Sequence, residues 1–153
     1  TGRTGGGVPT GETIQLLASD DLAGWRVEGA VMSGRPRGWD ELIGPGTPPI
    51  LIEDGWLLLY HGVATHLDGG VYQAGAVILD RDDPRRVLAR TRDNVLEPRE
   101  PWEVTGQVPN VVFPTGLITA PPRPDGTPSP DSEITVIYGA ADTCVGAATA
   151  RLR

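Results

Sequence analysis

The sequence predicts an all-β chain built from antiparallel strand units of the β-propeller kind, and three observations predict it. No window longer than about ten residues carries apolar residues at helical spacing without a Gly or Pro interrupting it. The 153 residues include 21 glycines and 15 prolines, a density that means many turns. Strand–turn–strand units also recur. Leu17-Ala18-Ser19-Asp20-Asp21 followed by Trp25 is echoed by Leu79-Asp80-Arg81-Asp82-Asp83 followed by Val87. Residues 56–80 are echoed by 134–152, with Tyr60-His61-Gly62 matching Tyr138-Gly139-Ala140.

Element by element, the first β-rich run covers residues 13–19, and a second strand starts at Trp25. Runs at 49–53 and 56–63 meet at Asp54-Gly55, the strongest short hairpin signal a sequence offers. Leu57, Leu58 and Leu59 are apolar in succession, which predicts a strand buried on both faces. Trp25 and Trp56 read as strand core. Further runs cover 71–80, 87–90, 111–119, 133–138 and 145–152. Between the runs at 111–119 and 133–138, residues 120–132 carry five prolines, which exclude a central strand and predict a long exposed loop inserted between strands of one domain.

The repeat spacing is about sixty residues against about 40–45 for a typical blade, so the chain holds roughly two and a half units. A closed propeller needs about four to eight. A β-sandwich is the competing architecture, since its strands recur every 8–12 residues or so. If the propeller reading is right, the chain is a fragment or pairs with another chain, because half a propeller exposes sheet edges and an apolar face. The opening at Thr1, with no Met and a Gly-rich lead-in, favours a fragment.

Composition narrows the function classes. A formal charge of -7 argues against nucleic acid or an anionic membrane surface as partner. No run approaches the roughly 18 apolar residues of a membrane span, and no basic-then-apolar leader is visible. The single cysteine, Cys144, excludes an internal disulfide and a cysteine zinc site. His61 and His66, five residues apart with no shared helix, make poor metal ligands. All 13 basic residues are Arg. No Gly-x-Ser-x-Gly elbow or phosphate-loop motif occurs, which excludes an α/β-hydrolase and a P-loop.

Several residues could carry chemistry. His61 ends an apolar strand at a glycine, where it serves either as an anion ligand or as a histidine merely hydrogen-bonded at a strand end. Tyr72 opens the partner strand and either reaches the same mouth or packs as a rim aromatic. Asp142, flanked by small residues, has room for sugar hydroxyls, or is a turn aspartate. Asp40 and Glu41 are adjacent carboxylates; on a strand they would face opposite ways, and the bland reading is a solvated turn.

Six ordered segments resemble glycoside hydrolase family 130. They are Ile43-Gly44-Pro45-Gly46-Thr47-Pro48-Pro49-Ile50, Asp54-Gly55-Trp56-Leu57-Leu58-Leu59-Tyr60-His61-Gly62-Val63, Tyr72-Gln73-Ala74-Gly75-Ala76, Val87-Leu88-Ala89-Arg90-Thr91, Val108-Pro109-Asn110-Val111-Val112-Phe113-Pro114 and Tyr138-Gly139-Ala140-Ala141-Asp142-Thr143. The resemblance spans nearly the whole chain, with residues 120–132 as an inserted Pro-rich loop. It implies a five-bladed β-propeller, of which residues 1–153 supply about two to three blades as the C-terminal half of a catalytic domain.

The implied activity is cleavage of a β-mannosidic bond by inorganic phosphate, with inversion, to α-mannose 1-phosphate; some members use water instead. Such inverting chemistry needs one acid for the leaving oxygen and a nucleophile on the opposite face of the ring. The family's proton-donor Asp lies upstream of this chain, so no catalytic residue is carried over. His61, Tyr72 and Arg3 match phosphate-binding positions; Asp142 matches the carboxylate that binds mannose; Pro109 and Asn110 line the substrate cleft. No metal or cofactor is implied beyond phosphate as co-substrate.

One departure matters: Leu42 stands where the phosphorylases usually carry a Lys, which favours the hydrolytic alternative. Glu41 beside it is then a candidate base for water. A second alternative is a non-catalytic, sugar-binding half propeller. The implied partners are a β-mannoside oligosaccharide, a missing N-terminal half or partner chain, and further copies in a homo-oligomer, in the cytoplasm.

Overall fold

The computed structural model describes residues 11–65, 70–129 and 131–152. Among the described residues, ten strands and one short helix follow in order: β1 (Thr13–Ala18), β2 (Arg26–Ser33), β3 (Leu42–Pro45), β4 (Ile50–Ile52), β5 (Gly55–Ala64), β6 (Val71–Leu79), β7 (Val87–Arg90), α1 (Pro101–Val104), β8 (Val112–Thr119), β9 (Glu133–Ala140) and β10 (Cys144–Arg151). The chain is therefore all-β, as its missing helical period requires. No helix among the described residues is long and apolar enough to cross a membrane.

The strands form three antiparallel sheets. β1 pairs with β2. β3 and β4 both pair with β5, which continues to β6 and then β7. β8, β9 and β10 form the third sheet. Every pairing joins strands that are near neighbours in sequence. β3 and β4 cover successive stretches of β5, with Pro45 opposite Tyr60 and Ile50 opposite Leu57. In the gap between them, the Gly46 and Thr47 amides both donate to the Leu59 carbonyl at 3.0 Å.

The middle sheet is covered on both faces, which is why β5 is apolar without alternation. One face carries Leu58, Tyr60, Val77 and Leu79, packed with Ile14 and Met32 of the first sheet. The other carries Leu57, Leu59, Ala74 and Ala76, which line a groove of about 280 Å³ shared with Ile134, Val136 and Ala148 of the third sheet. An isolated parallel bridge pairs Tyr72 of β6 with Val111, the residue before β8, and another pairs Ala74 with Leu96 of the segment after β7.

The repeat seen in sequence is visible in space. Ser19 and Asp21 cap the turn between β1 and β2, with the Leu22 amide on Ser19 Oγ at 2.8 Å and the Ala23 amide on Asp21 Oδ1 at 2.8 Å. Asp80 caps the corresponding β6–β7 turn, accepting the Asp83 amide at 2.9 Å.

Several expectations need correction. The β4–β5 turn residues are Glu53 and Asp54; Gly55 already pairs with Ile52 and adopts φ 137°, a value that favours glycine. Trp25 is 55% exposed and precedes β2 rather than filling a core. Among the described residues the Pro-rich loop forms no strand, but it folds back: Thr127 is 2% exposed, and Asp125 Oδ1 accepts both its amide at 2.9 Å and its hydroxyl at 2.7 Å.

Candidate functional site

The candidate site lies where β5 ends, β6 begins and the chain enters β8. His61, on β5, stands opposite Gly44 on β3 and Ala74 on β6. Alternation along β5 turns His61 away from the Tyr60 core and toward the third sheet. Its ring centroid lies 4.3 Å from that of Phe113 and 6.2 Å from that of Tyr72. Tyr72 and Phe113 are 6.4 Å apart, so three rings close one cluster.

His61 Nδ1 lies 3.2 Å from the Pro45 carbonyl oxygen. Burial pushes the His61 imidazole below its ordinary value, and the bond to Pro45 offsets this only in part. The ring is therefore neutral near neutrality. Gly44 makes the seat: a Cβ there would meet His61 Cε1 at 2.3 Å. Real Cβ atoms do not approach that closely, so only a glycine lets the ring lie against the strand.

The loop before β8 closes the site. The Tyr72 amide donates to the Asn110 carbonyl at 3.0 Å. Asn110 takes φ 61°, a left-handed conformation that Asn tolerates better than most residues. The Val111 carbonyl then accepts the Ala141 amide at 3.1 Å, and the Val108 amide donates to the Ala141 carbonyl at 3.2 Å. Asp142 follows in the β9–β10 turn, where Ala141 and Asp142 have φ 46° and 51°. Two successive positive φ values are the pattern of a type I′ hairpin turn. Asp142 is exposed, as is Pro109.

The fold thus brings His61 and Tyr72 together and sets Asn110 against Tyr72. Pro109 and Asp142 lie beside this seam, although no hydrogen bond joins Asp142 to either ring. Arg3 lies outside the described residues, as does His66. Among the described residues no arginine hydrogen-bonds or ion-pairs with His61 or Tyr72. Leu42 sits two residues before Gly44, opposite Val63 and on the same face of β3 as the His61 seat. The Tyr72 hydroxyl has no hydrogen-bond partner among the described residues.

The Asp40–Glu41 pair is not a solvated turn. Asp40 is fully buried. Arg35 Nε donates to it at 2.8 Å, the Tyr60 hydroxyl at 2.9 Å and Arg90 Nη2 at 2.5 Å. Burial alone would raise its carboxyl, but the bonds from Arg35 and Tyr60 and the charges of Arg90 and Arg35 outweigh that and hold it below the usual range. Two arginines committed to one carboxylate make a structural lock, on the Tyr60 face and not the His61 face. Glu41 accepts a hydrogen bond from the Thr65 hydroxyl.

A second buried carboxylate has the same form. Glu103 of α1 is 3% exposed. It accepts the Arg99 and Glu100 amides at 2.8 and 2.9 Å and the Tyr138 hydroxyl at 2.5 Å. Sequence reasoning missed Phe113, the chain's only Phe, and the Arg35 and Arg90 contacts to Asp40. Only the lone aromatic beside Pro114 could have signalled the first; no spacing rule connects positions 35, 40 and 90.

Chemically, the cluster offers a neutral imidazole and a phenol, with an exposed carboxylate nearby. That set can bind a protonated oxyanion and sugar hydroxyls. Among the described residues no group of His, Cys, Asp and Glu could hold a metal ion.

Comparison with known proteins agrees over almost the full chain. Residues 8–153 match the Glyco_hydro_130 family model, described as β-1,4-mannooligosaccharide phosphorylase. A 1,2-β-oligomannan phosphorylase of Thermoanaerobacter sp. is 38% identical over 141 residues, covering 92% of this chain and 43% of that protein. The solved β-1,2-mannobiose phosphorylase of Listeria innocua, in complex with β-1,2-mannobiose, superposes with a TM-score of 0.79 at 34% identity, over 92% of this chain and 36% of that one. Another solved relative is described by the statement that the GH130 family of mannoside phosphorylases contains glycoside hydrolases that target β-1,2 mannosidic linkages in Candida mannan. It has a TM-score of 0.73 at 28% identity, over 90% of this chain and 40% of that one. The chain spans less than half the length of each of these relatives.

Proposed function

Since the chain belongs to glycoside hydrolase family 130, we propose that it forms part of an inverting β-mannoside phosphorylase. On this reading it contributes about two to three blades of a five-bladed β-propeller. A phosphate oxygen attacks mannose C1 from the face opposite the glycosidic bond. The C1–oxygen bond breaks, and the leaving oxygen takes its proton from an acid supplied outside this chain. The products are α-mannose 1-phosphate and the shortened oligosaccharide.

The observation that carries this reading is the His61–Tyr72 pair. The two rings lie 6.2 Å apart, with Nε2 and the phenol hydroxyl both unpartnered among the described residues. Phosphate accepts from the phenol and donates to the imidazole. Arg3 adds a positive charge in the same proposal, Asp142 takes mannose hydroxyls, and Pro109 and Asn110 line the cleft.

A hydrolase is the second reading, and Leu42 favours it. A Lys there would give phosphate a Coulombic contact worth about 1–4 kcal/mol in a semi-exposed site. The experiment is an assay on β-1,2- and β-1,4-mannooligosaccharides with and without inorganic phosphate. It is run on the 153-residue chain and on the chain joined to sequence of a relative's full length. Phosphate-dependent release of mannose 1-phosphate is expected. Free mannose at a rate indifferent to phosphate makes it a hydrolase. Sugar binding without turnover in both forms makes it a binding module.

A further inference from the structure

His61 has two ring nitrogens, and the fold uses one of them. Nδ1 lies 3.2 Å from the Pro45 carbonyl. A carbonyl oxygen only accepts, so Nδ1 carries the hydrogen of that bond. A neutral imidazole has a single N–H, and the bond made by one nitrogen sets the role of the other. Nε2 is therefore left with a bare lone pair. It has no hydrogen-bond partner among the described residues.

The ring is clamped in this orientation. On one side it lies on Gly44, where a Cβ would stand 2.3 Å from Cε1 and 2.6 Å from Nε2. Phe113 also packs against it, tilted, at 4.3 Å between centroids. Pro45, which supplies the accepting carbonyl, follows Gly44 directly and is held opposite Tyr60. A tilt or flip of the imidazole would break the Pro45 bond or collide with one of these walls.

We propose that Gly44 and Phe113 are positioning residues that fix His61 as the Nδ1–H tautomer, so that Nε2 accepts a hydrogen bond from an oxyanion that carries its own proton. This rests on the phosphate reading above and deepens it. The ligand class is a hydrogen oxyanion: hydrogen phosphate or hydrogen arsenate fits, because each keeps an O–H near neutrality. Sulfate, of similar shape but without a proton, does not. The selectivity arises as it does wherever a buried polar group is built for one donor and is left unpaired by an analogue that lacks it.

The test is nitrogen NMR of the uniformly labelled chain at pH 8, where only two histidines contribute signals. The expected result is a protonated Nδ1 and an unprotonated Nε2 for His61. Protonated Nε2, or rapid averaging of both tautomers, overturns the proposal. Gly44→Ala and Phe113→Leu are each expected to release the ring into averaged signals while the other resonances of the fold persist; retention of the wild-type pattern in both overturns the positioning role. Titration with inorganic phosphate is expected to move Nε2 at a concentration at least about tenfold below that needed with sulfate. Equal responses to the two anions overturn the proposed selectivity. A correct tautomer with no response to phosphate removes the phosphate reading and leaves the clamp standing.

Discussion

Tyr60 and Tyr138 hold the same position in two different sheets. Tyr60 of β5 lies opposite Gly75 of β6, and Tyr138 of β9 lies opposite Gly146 of β10. Each hydroxyl donates to a buried carboxylate, Asp40 at 2.9 Å and Glu103 at 2.5 Å. Each carboxylate precedes the first strand of its sheet. The ring covers the facing glycine, and the hydroxyl latches the incoming loop.

Removal of the Tyr138 hydroxyl leaves Glu103 with two backbone donors only. Tyr138→Phe is expected to cost about 1–3 kcal/mol, read as a lower urea midpoint at unchanged slope. The pH dependence gives a second readout. Burial and the bond to Glu103 push the Tyr138 phenol up to about 12, above its ordinary 10.0. A raised folded value means stability that is complete below about pH 10 and lost as pH climbs from about 10 to 12. The variant should lack that alkaline loss.

Asp40 gives the opposite slope. Its carboxyl is held below the usual 3.8, so its contribution is complete above that value and lost as pH falls from there through the lowered folded value. Asp40→Asn leaves Arg90 and Arg35 without their counter-charge. The expected cost is about 3 kcal/mol, toward the lower end for a broken buried pair because Arg35 reaches solvent. Acid titrations of both proteins by circular dichroism should show a shallower acid limb in the variant.

The paired glycines are equally specific. A Cβ at Gly75 would meet Trp39 at 2.5 Å and Tyr60 at 2.6 Å; at Gly146 it would meet Tyr138 at 2.4 Å. Gly75→Ala and Gly146→Ala should each lose about 1–3 kcal/mol by overpacking. Gly139→Ala is the control, since its nearest new neighbour is Phe113 at 4.0 Å. Thermal melts of the three proteins should separate the first two from the third.

Leu42→Lys tests the phosphate reading from the other side. The side chain shares the His61 face of β3, so an ammonium there faces the cleft. Phosphate affinity should rise about tenfold at low salt and fall back as salt is added. Calorimetric titration at two ionic strengths would decide it. An unchanged affinity would mean that the anion does not sit on this face.

Much of the fold was legible because its signals were local. The Leu57–Leu59 run announced a strand covered on both faces, and Asp54-Gly55 announced a hairpin, off by one residue. β2 was seen only as a start at Trp25, and β3 went unread. The first is largely exposed with Gly29 inside it, and the second is four residues ending in Gly-Pro. Propensity is weak there, and pairing with β1 and β5 supplies what sequence does not. At the site, His61 and Tyr72 stood out by type and position. Phe113 and Gly44 did not, because seating a ring depends on a distance between strands. Asp40 was misread for a similar reason: its two arginines lie 5 and 50 residues away.

The parallel bridge between Tyr72 and Val111 carries a kinetic consequence. Each sheet closes through hairpins and short connections, the pairings that loop-closure entropy lets form early. The seam at Tyr72, Asn110 and Val111 joins segments almost forty positions apart and can zip only after two such units exist. His61 sits on one unit and Phe113 on the other. The His61–Tyr72–Phe113 cluster is thus expected to be the last part of the molecule completed on folding. It is also the first to come apart on partial opening, so the ring contacts of His61 should vanish under mild denaturant while most of the strand signal survives.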